Sequence, residues 1–189
     1  MDALLLIDTD DASYTSDENA EILVDIVGRT RTVGGVLIFA STKDELVDVD
    51  DEELSIFVPD EEDLVLRSEK PDVFDGIRDL APGLHDMGVD RIVIAGGDVD
   101  TIEALDDAED ESDDTSDDTD AAGDNDDAGA RDLPGSVRAS AMAALVCNFD
   151  VIILSDAVID PEGQPVTWLG EAEEAGAMIK KTADTWLRM

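Results

Sequence analysis

Short apolar runs recur along the chain, most followed by polar residues and a stretch with helical spacing. Ala3 to Ile7 (ALLLI) offers no polar side, which predicts a strand buried on both faces and central in its sheet. Ser16 or Asp17 is a candidate N-cap for a helix carrying Glu21, Ile22, Val24, Ile26 and Val27, and Gly34-Gly35 closes that unit. Val36 to Ala40 (VLIFA) is the second expected strand, followed by an acidic loop over Asp44 to Glu53. Asp63 to Arg67 (DLVLR) is the third strand, and Asp75 to Met87 is a helix that Pro82 should kink, with Gly88 at its C-terminal stop. Arg91 to Ala95 (RIVIA), the fourth strand, opens into Gly96-Gly97-Asp98-Val99-Asp100. A helix over Ser136 to Val146, a fifth strand at Asp150 to Leu154 and a helix at Glu171 to Ala177 follow. A short last strand at Met178 to Lys180 and a helical turn at Ala183 to Leu187 end the chain.

Strands alternating with helices predict βαβ units and a mainly parallel sheet. Right-handed crossovers then give a three-layer α/β/α sandwich of five or six strands. Ligands in such folds bind beyond the strand C-termini, where the strand order reverses. Asp8, Asp10 and Asp11 fall there after strand one, Ser41 to Lys43 after strand two and Ser68 to Lys70 after strand three. Gly96 to Asp100 follow strand four, and Asp156 follows strand five.

Between strand four and the next helix the pattern breaks. From Asp106 to Asp127, 13 residues are Asp or Glu and no apolar side chain is larger than Ala. Such a segment buries too little surface to offset its ordering entropy. The expectation is one domain over residues 1–189, interrupted at about 103–135 by a disordered acidic insertion.

Charge narrows the setting. Fifty Asp and Glu against 12 Lys and Arg give a formal charge of −38. In dilute solution such a surface repels itself, whereas in molar salt the Debye length falls to roughly 3 Å. The balance reads as adaptation to a salty cytoplasm. An acidic nucleic-acid mimic would not carry these apolar strands, and no basic stripe is present to bind nucleic acid. The single Cys147 excludes an internal disulfide and a cysteine zinc cluster, and the single His85 excludes a multi-histidine metal site. No apolar run reaches 18 residues, and a strand directly after Met1-Asp2 leaves no signal peptide, so a cytoplasmic protein without membrane contact is expected.

The order of the segments resembles the isochorismatase-like superfamily of cysteine hydrolases, which includes nicotinamidases. ALLLID at Ala3 to Asp8 is similar to that family's first strand with its catalytic Asp, and VGGVLIFASTKDE at Val33 to Glu45 to its second. LVLRSEKPDVFDG at Leu64 to Gly76 resembles the segment with its catalytic Lys, and MGVDRIVIAGG at Met87 to Gly97 the strand before the nucleophile. SVRASAMAALVCNFDVIILSDAV at Ser136 to Val158 resembles the nucleophile helix and the strand after it. GEAEEAGAMIKKTADTWL fits the family's C-terminal end. The resemblance implies the strand order 3-2-1-4-5, no cofactor, and a small-molecule ligand. It also implies thiolate attack on an amide-type carbonyl with an Asp as base.

The catalytic Asp position falls on Asp8. The cysteine position falls on Ser136 when aligned back from strand five, and on Ile102 when aligned forward from Gly96. The Lys position falls on Ser68, with Arg67 and Lys70 out of phase. Cys147 sits ~16 Å along the helix from Ser136 and cannot replace the nucleophile; a small buried thiol is expected there. The candidate catalytic residues are Asp8 and Ser136, and the candidate substrate-binding residues are Ser68, Gly97 and Asp98. The first reading is a hydrolase-fold protein that has lost its chemistry. A hydrolase with Ser136 as altered nucleophile is the second. A Mg²⁺-dependent PIN- or NYN-like nuclease using Asp8, Asp10, Asp98, Asp100 and Asp156 is the third. Ala95 to Gly97 lacks the glycine pattern of a nucleotide loop. His85 reads as a surface residue. Trp168 and Trp186 read as packing or interface residues, which leaves a homo-oligomer open.

Overall fold

The computed structural model describes residues 1–42, 56–99 and 134–187. The acidic loop at 44–53 and nearly all of the expected insertion therefore lie outside the described residues.

All six residues of β1 (Asp2–Ile7) are buried. The pleat sends Ala3, Leu5 and Ile7 to one face and Leu4 and Leu6 to the other, and each face has its own apolar core. Burying a Leu or Ile side chain contributes roughly 1.5–3 kcal/mol, so this strand anchors both layers. It pairs in parallel with β2 (Val36–Ser41), Ala3 opposite Val36, and with β4 (Arg91–Gly97), Asp2 opposite Arg91. Outside these lie β3 (Leu64–Arg67), β5 (Asp150–Ile159) and β6 (Met178–Lys180), giving the order β3-β2-β1-β4-β5-β6 with every pairing parallel. The expected central strand and the order 3-2-1-4-5 both hold, and β6 adds a sixth strand.

The long helix α1 (Asp17–Val33) covers one face through Leu23, Ile26 and Val27. Ser16 caps it by accepting from Asn19 N, and Gly34, at φ 71°, ends it in the left-handed conformation that glycine adopts freely. The other face is covered by α2 (Val73–Gly76), α3 (Leu80–Asp86), α4 (Ser136–Val146) and α5 (Leu169–Ala175). These two helical layers complete the three-layer sandwich.

Several local expectations change. The helix expected over Asp75 to Met87 is two short helices, broken at 77–79 where Asp79 takes φ 60°. Asp72 caps the first, accepting from Phe74 N at 2.8 Å, which starts it earlier than expected. Pro82 then falls in the first turn of α3, where its missing N–H costs no helical bond, so it kinks nothing. β5 continues past Leu154 to Ile159, with a register irregularity opposite Ile94/Gly96. The terminal turn is a 3₁₀ turn at Thr182–Asp184 instead of a helix over Ala183 to Leu187. It is held by Asp156, whose carboxylate accepts from Thr182 N and Oγ1, both at 2.9 Å. Cys147 is half-buried and not fully so; burial and the nearby Asp72 push its thiol up. His85 is exposed, stacked on Phe149 with 4.1 Å between ring centroids. Trp186 is also exposed and lies over Arg29, whose guanidinium is 5.7 Å from the ring centroid. No helix among the described residues is long and apolar enough to cross a membrane.

Candidate functional site

The C-terminal ends of β1 and β4 meet α4 at one point. Asp8 follows β1, at φ 48°, with its N–H still donating to Ala40 O at 2.9 Å. Its carboxylate is fully buried and accepts three hydrogen bonds. Oδ1 accepts from Thr42 N at 2.7 Å; Oδ2 accepts from Thr42 Oγ1 at 2.6 Å and from Ser136 Oγ at 2.7 Å. Burial raises the Asp8 carboxyl above the ordinary carboxylate range; the bonds from Thr42 and Ser136 oppose this, and the charge of Asp10 adds to it.

Ser136 is the first residue of α4 and is fully buried. Its hydroxyl lies 2.7 Å from Asp8 Oδ2 and 3.1 Å from Gly97 O, and it accepts from Val99 N at 3.3 Å. The Ser136 N–H donates to Val99 O at 3.0 Å. Gly97 matters here as a glycine, because a Cβ would meet Ser13 O at 2.8 Å and Asp8 O at 2.9 Å. The two strand ends could not approach this closely with a side chain between them.

Asp98 is buried, and its carboxylate meets the first turn of α4. Its Oδ1 accepts from Val137 N at 2.9 Å and Arg138 N at 3.0 Å, and its Oδ2 from Trp168 Nε1 at 2.6 Å. Ser68 closes the turn from β3 into α2: its hydroxyl donates to Lys70 O at 2.6 Å and accepts from Lys70 N at 3.2 Å. Lys70 sends its ammonium to Asp75 at 2.6 Å on the surface. The structure thus brings Asp8, Ser136 and Gly97 into contact, while the side chains of Asp98 and Ser68 hydrogen-bond the backbone of neighbouring turns.

Thr42 and Trp168 are site residues outside the candidate set: Thr42 falls within the Ser41 to Lys43 segment expected at the strand ends, and Trp168 reads from the sequence as a packing or interface residue. The Ser41-Thr42 pair at the end of the second strand was a usable signal for Thr42, since a hydroxyl beside a buried Asp is a ready donor. Trp168 reaches Asp98 across 70 residues, and nothing local marks it.

No family model matches the sequence, and no curated protein matches it. Solved structures do. N-carbamoylsarcosine amidase from Thermoplasma acidophilum superposes with a TM-score of 0.59 at 16% identity, covering 97% of this chain and 98% of that one. Pyrazinamidase of Pyrococcus horikoshii, in complex with zinc, gives 0.59 at 17% identity over 95% and 98%. An isochorismatase-like hydrolase from Alkaliphilus metalliredigens gives 0.57 at 18% identity over 96% and 95%. The chain has the isochorismatase-like fold.

Within that fold, the described residues do not suit a resident metal. Among them no three His, Cys, Asp or Glu side chains converge. Asp10 caps its own turn, accepting from Ala12 N at 3.0 Å, Asp98 caps α4 and Asp156 holds Thr182. The described strand-end carboxylates of the nuclease reading accept from backbone N–H groups and from the Thr42, Ser136, Thr182 and Trp168 side chains, Asp100 lies outside the described residues, and the nuclease reading gains no support.

Asp8 also makes this fold's site pH-sensitive. A carboxyl raised in the folded state contributes stability that is full below its unfolded value, near 4, and is lost as pH rises through the folded value. The Asp8→Asn variant removes that loss, and its amide can still bond Thr42 and Ser136 because both hydroxyls can reverse. It is expected to be at least as stable as the wild type at pH 7, with its advantage shrinking as pH falls toward about 4. Denaturant midpoints of both proteins across that range, in molar KCl, check this; a difference that does not change with pH contradicts the buried, raised carboxyl.

Proposed function

We propose that this protein keeps the isochorismatase-like fold without the hydrolysis associated with it, and that Asp8 and Ser136 survive as a structural pair. One observation carries the reading: the first turn of α4 has no N–H left for an oxyanion. Ser136 N is spent on Val99 O, Val137 N and Arg138 N on Asp98, and Ala139 N on Gly135 O. Acyl-transfer chemistry needs such donors aimed at the developing charge, and removing even one typically costs about 10²–10³ in rate. The hydroxyl at Ser136 is also a far weaker nucleophile than a thiolate, and His85, the one histidine, is placed on α3, stacked against Phe149.

A second reading is favoured by the 2.7 Å contact between Asp8 and Ser136, a base within reach of a hydroxyl, and by the raised Asp8 carboxyl. It makes the protein a serine-dependent hydrolase of C–N or ether-type bonds. Assays with nicotinamide, N-carbamoylsarcosine, isochorismate and simple amides in molar KCl decide between them. The inactive reading expects no turnover above buffer. Robust turnover that disappears in both Asp8→Asn and Ser136→Ala establishes the serine hydrolase instead.

A further inference from the structure

The first turn of an α-helix carries exposed N–H groups and the positive end of the helix dipole, together equivalent to about half a positive charge. Such a turn lowers the energy of negative charge held on its first residues. In α4 the first residue is Ser136, and the charge that meets this turn belongs to another part of the chain. Asp98, from the end of β4, places its carboxylate over Val137 N and Arg138 N. Trp168 grips the second oxygen at 2.6 Å, and Asp98 N donates to Ile159 O at 2.7 Å, so the residue is fixed from three sides.

The N-cap position is cleared for it. Residue 135, where a Ser, Thr or Asp would ordinarily supply its own acceptor, is a glycine. A Cβ there would stand 2.4 Å from Asp98 Oδ1. Among the described residues, the charged group in contact with Ser136 is Asp8, with Asp10 acting on it, while the nearby Arg138 sends its guanidinium to Glu171 at 2.7 Å.

We infer that Asp98 is a built-in counter-anion that silences the α4 N-terminus, occupying the donors and the dipole end that would otherwise stabilise negative charge at position 136. The inference rests on the inactive reading above and names what keeps the site inactive. Asp98 replaces an incoming oxyanion, and its own charge opposes ionisation of any nucleophile at that position.

A thiol placed at the position reports the effect directly. In a Cys147→Ser background, Ser136→Cys introduces a single thiol whose ionisation is followed by the ultraviolet absorbance of the thiolate, which needs no access by a reagent. Adding Asp98→Asn removes the charge and keeps an amide oxygen as acceptor for the two N–H groups, while its NH2 faces Trp168 Nε1–H, which loses its acceptor. The thiol pKa is expected to fall by about one unit, roughly tenfold more thiolate at a pH below both values. Asp98→Ser, a second neutral cap, should act in the same direction and keeps the test open if the asparagine variant does not fold. Asp156→Asn, which removes a charge elsewhere, should leave the thiol where it was. An unchanged thiol in both Asp98 variants overturns the inference, as does an equal shift in Asp156→Asn. Wild-type hydrolase turnover would sink the inactive reading and the silencing with it, whereas an unchanged thiol in an inactive protein would overturn the role of Asp98 and leave the inactive reading standing.

Discussion

Transfer from molar KCl to dilute buffer is expected to lower the unfolding midpoint by more than 10 °C, or to unfold the protein outright. The formal charge is −38 on 189 residues. Folding gathers the carboxylates of the described residues onto one small surface, while the unfolded chain spreads them apart, so their repulsion falls mainly on the folded state. Attraction does not offset it. Most of the described ion pairs, such as Lys70–Asp75 and Arg31–Asp60, have an exposed carboxylate, and pairs of that kind are worth about 0–1 kcal/mol. Arg29 and Arg91 divide their donors between carboxylates and backbone: Arg29 pairs with Asp25 and donates to Thr182 O and Thr185 O, and Arg91 pairs with the buried Asp2 and donates to Trp186 O. Raising ionic strength from about 0.01 M to 1 M shortens the Debye length from roughly 30 Å to 3 Å, removing most of the repulsion. For a domain of this size about 4 kcal/mol corresponds to a shift of roughly 8–16 °C. Thermal unfolding across a KCl series checks the expectation. Screening predicts a steep rise at low salt that flattens once the Debye length falls below the spacing between charges. A midpoint that ignores salt would mean that the acidic surface is no burden to the fold.

How far the sequence foretold the structure depends on the range of each interaction. β1 was legible because ALLLI has no polar side, and a strand buried on both faces must be internal. Ser16, Gly34 and Gly88 marked helix ends because capping acts within a few residues. The break between α2 and α3 was not legible, because both halves have helical spacing and the cap by Asp72 competes with a continuous helix only once Val73 N meets Ser140 Oγ at 3.1 Å. At the site, Asp8 and Ser136 were placed by the order of segments, and the structure puts them 2.7 Å apart. The task of Asp98 stayed hidden for a physical reason. A carboxylate at a strand end can face a ligand, a metal or a helix, and the choice was made by α4 and Trp168, far along the chain.

Gly96→Ala should be among the most damaging single-methyl changes available to this protein. Gly96 lies opposite Ile7 in the β1–β4 pairing, at the register irregularity with β5, and has φ 138°. That conformation is one that residues with a Cβ rarely adopt. The added atom would stand 1.9 Å from Ile7 O and 2.8 Å from Ile7 N and C. These are backbone atoms of the central strand, so no side chain can swing aside to make room. Relief requires the ends of β1 and β4 to part at the point from which Asp8 and Gly97 reach Ser136. Backbone strain and lost pairing together should cost more than about 4 kcal/mol, the range reserved for disrupted buried structure. At 2–4 °C per kcal/mol the midpoint should fall by at least roughly 8 °C, unless the chain fails to fold. Gly28→Ala is the matched control. Gly28 is exposed within α1, and a Cβ there meets nothing within 4 Å. That change should stabilise the helix by about 0.5–1 kcal/mol. Opposite signs for the same chemical substitution would locate the cost in the β1–β4 contact. A Gly96→Ala protein melting within a degree or two of the wild type would mean that the two strand ends do not touch as described, and the Asp8–Ser136 contact built on them would fall with them.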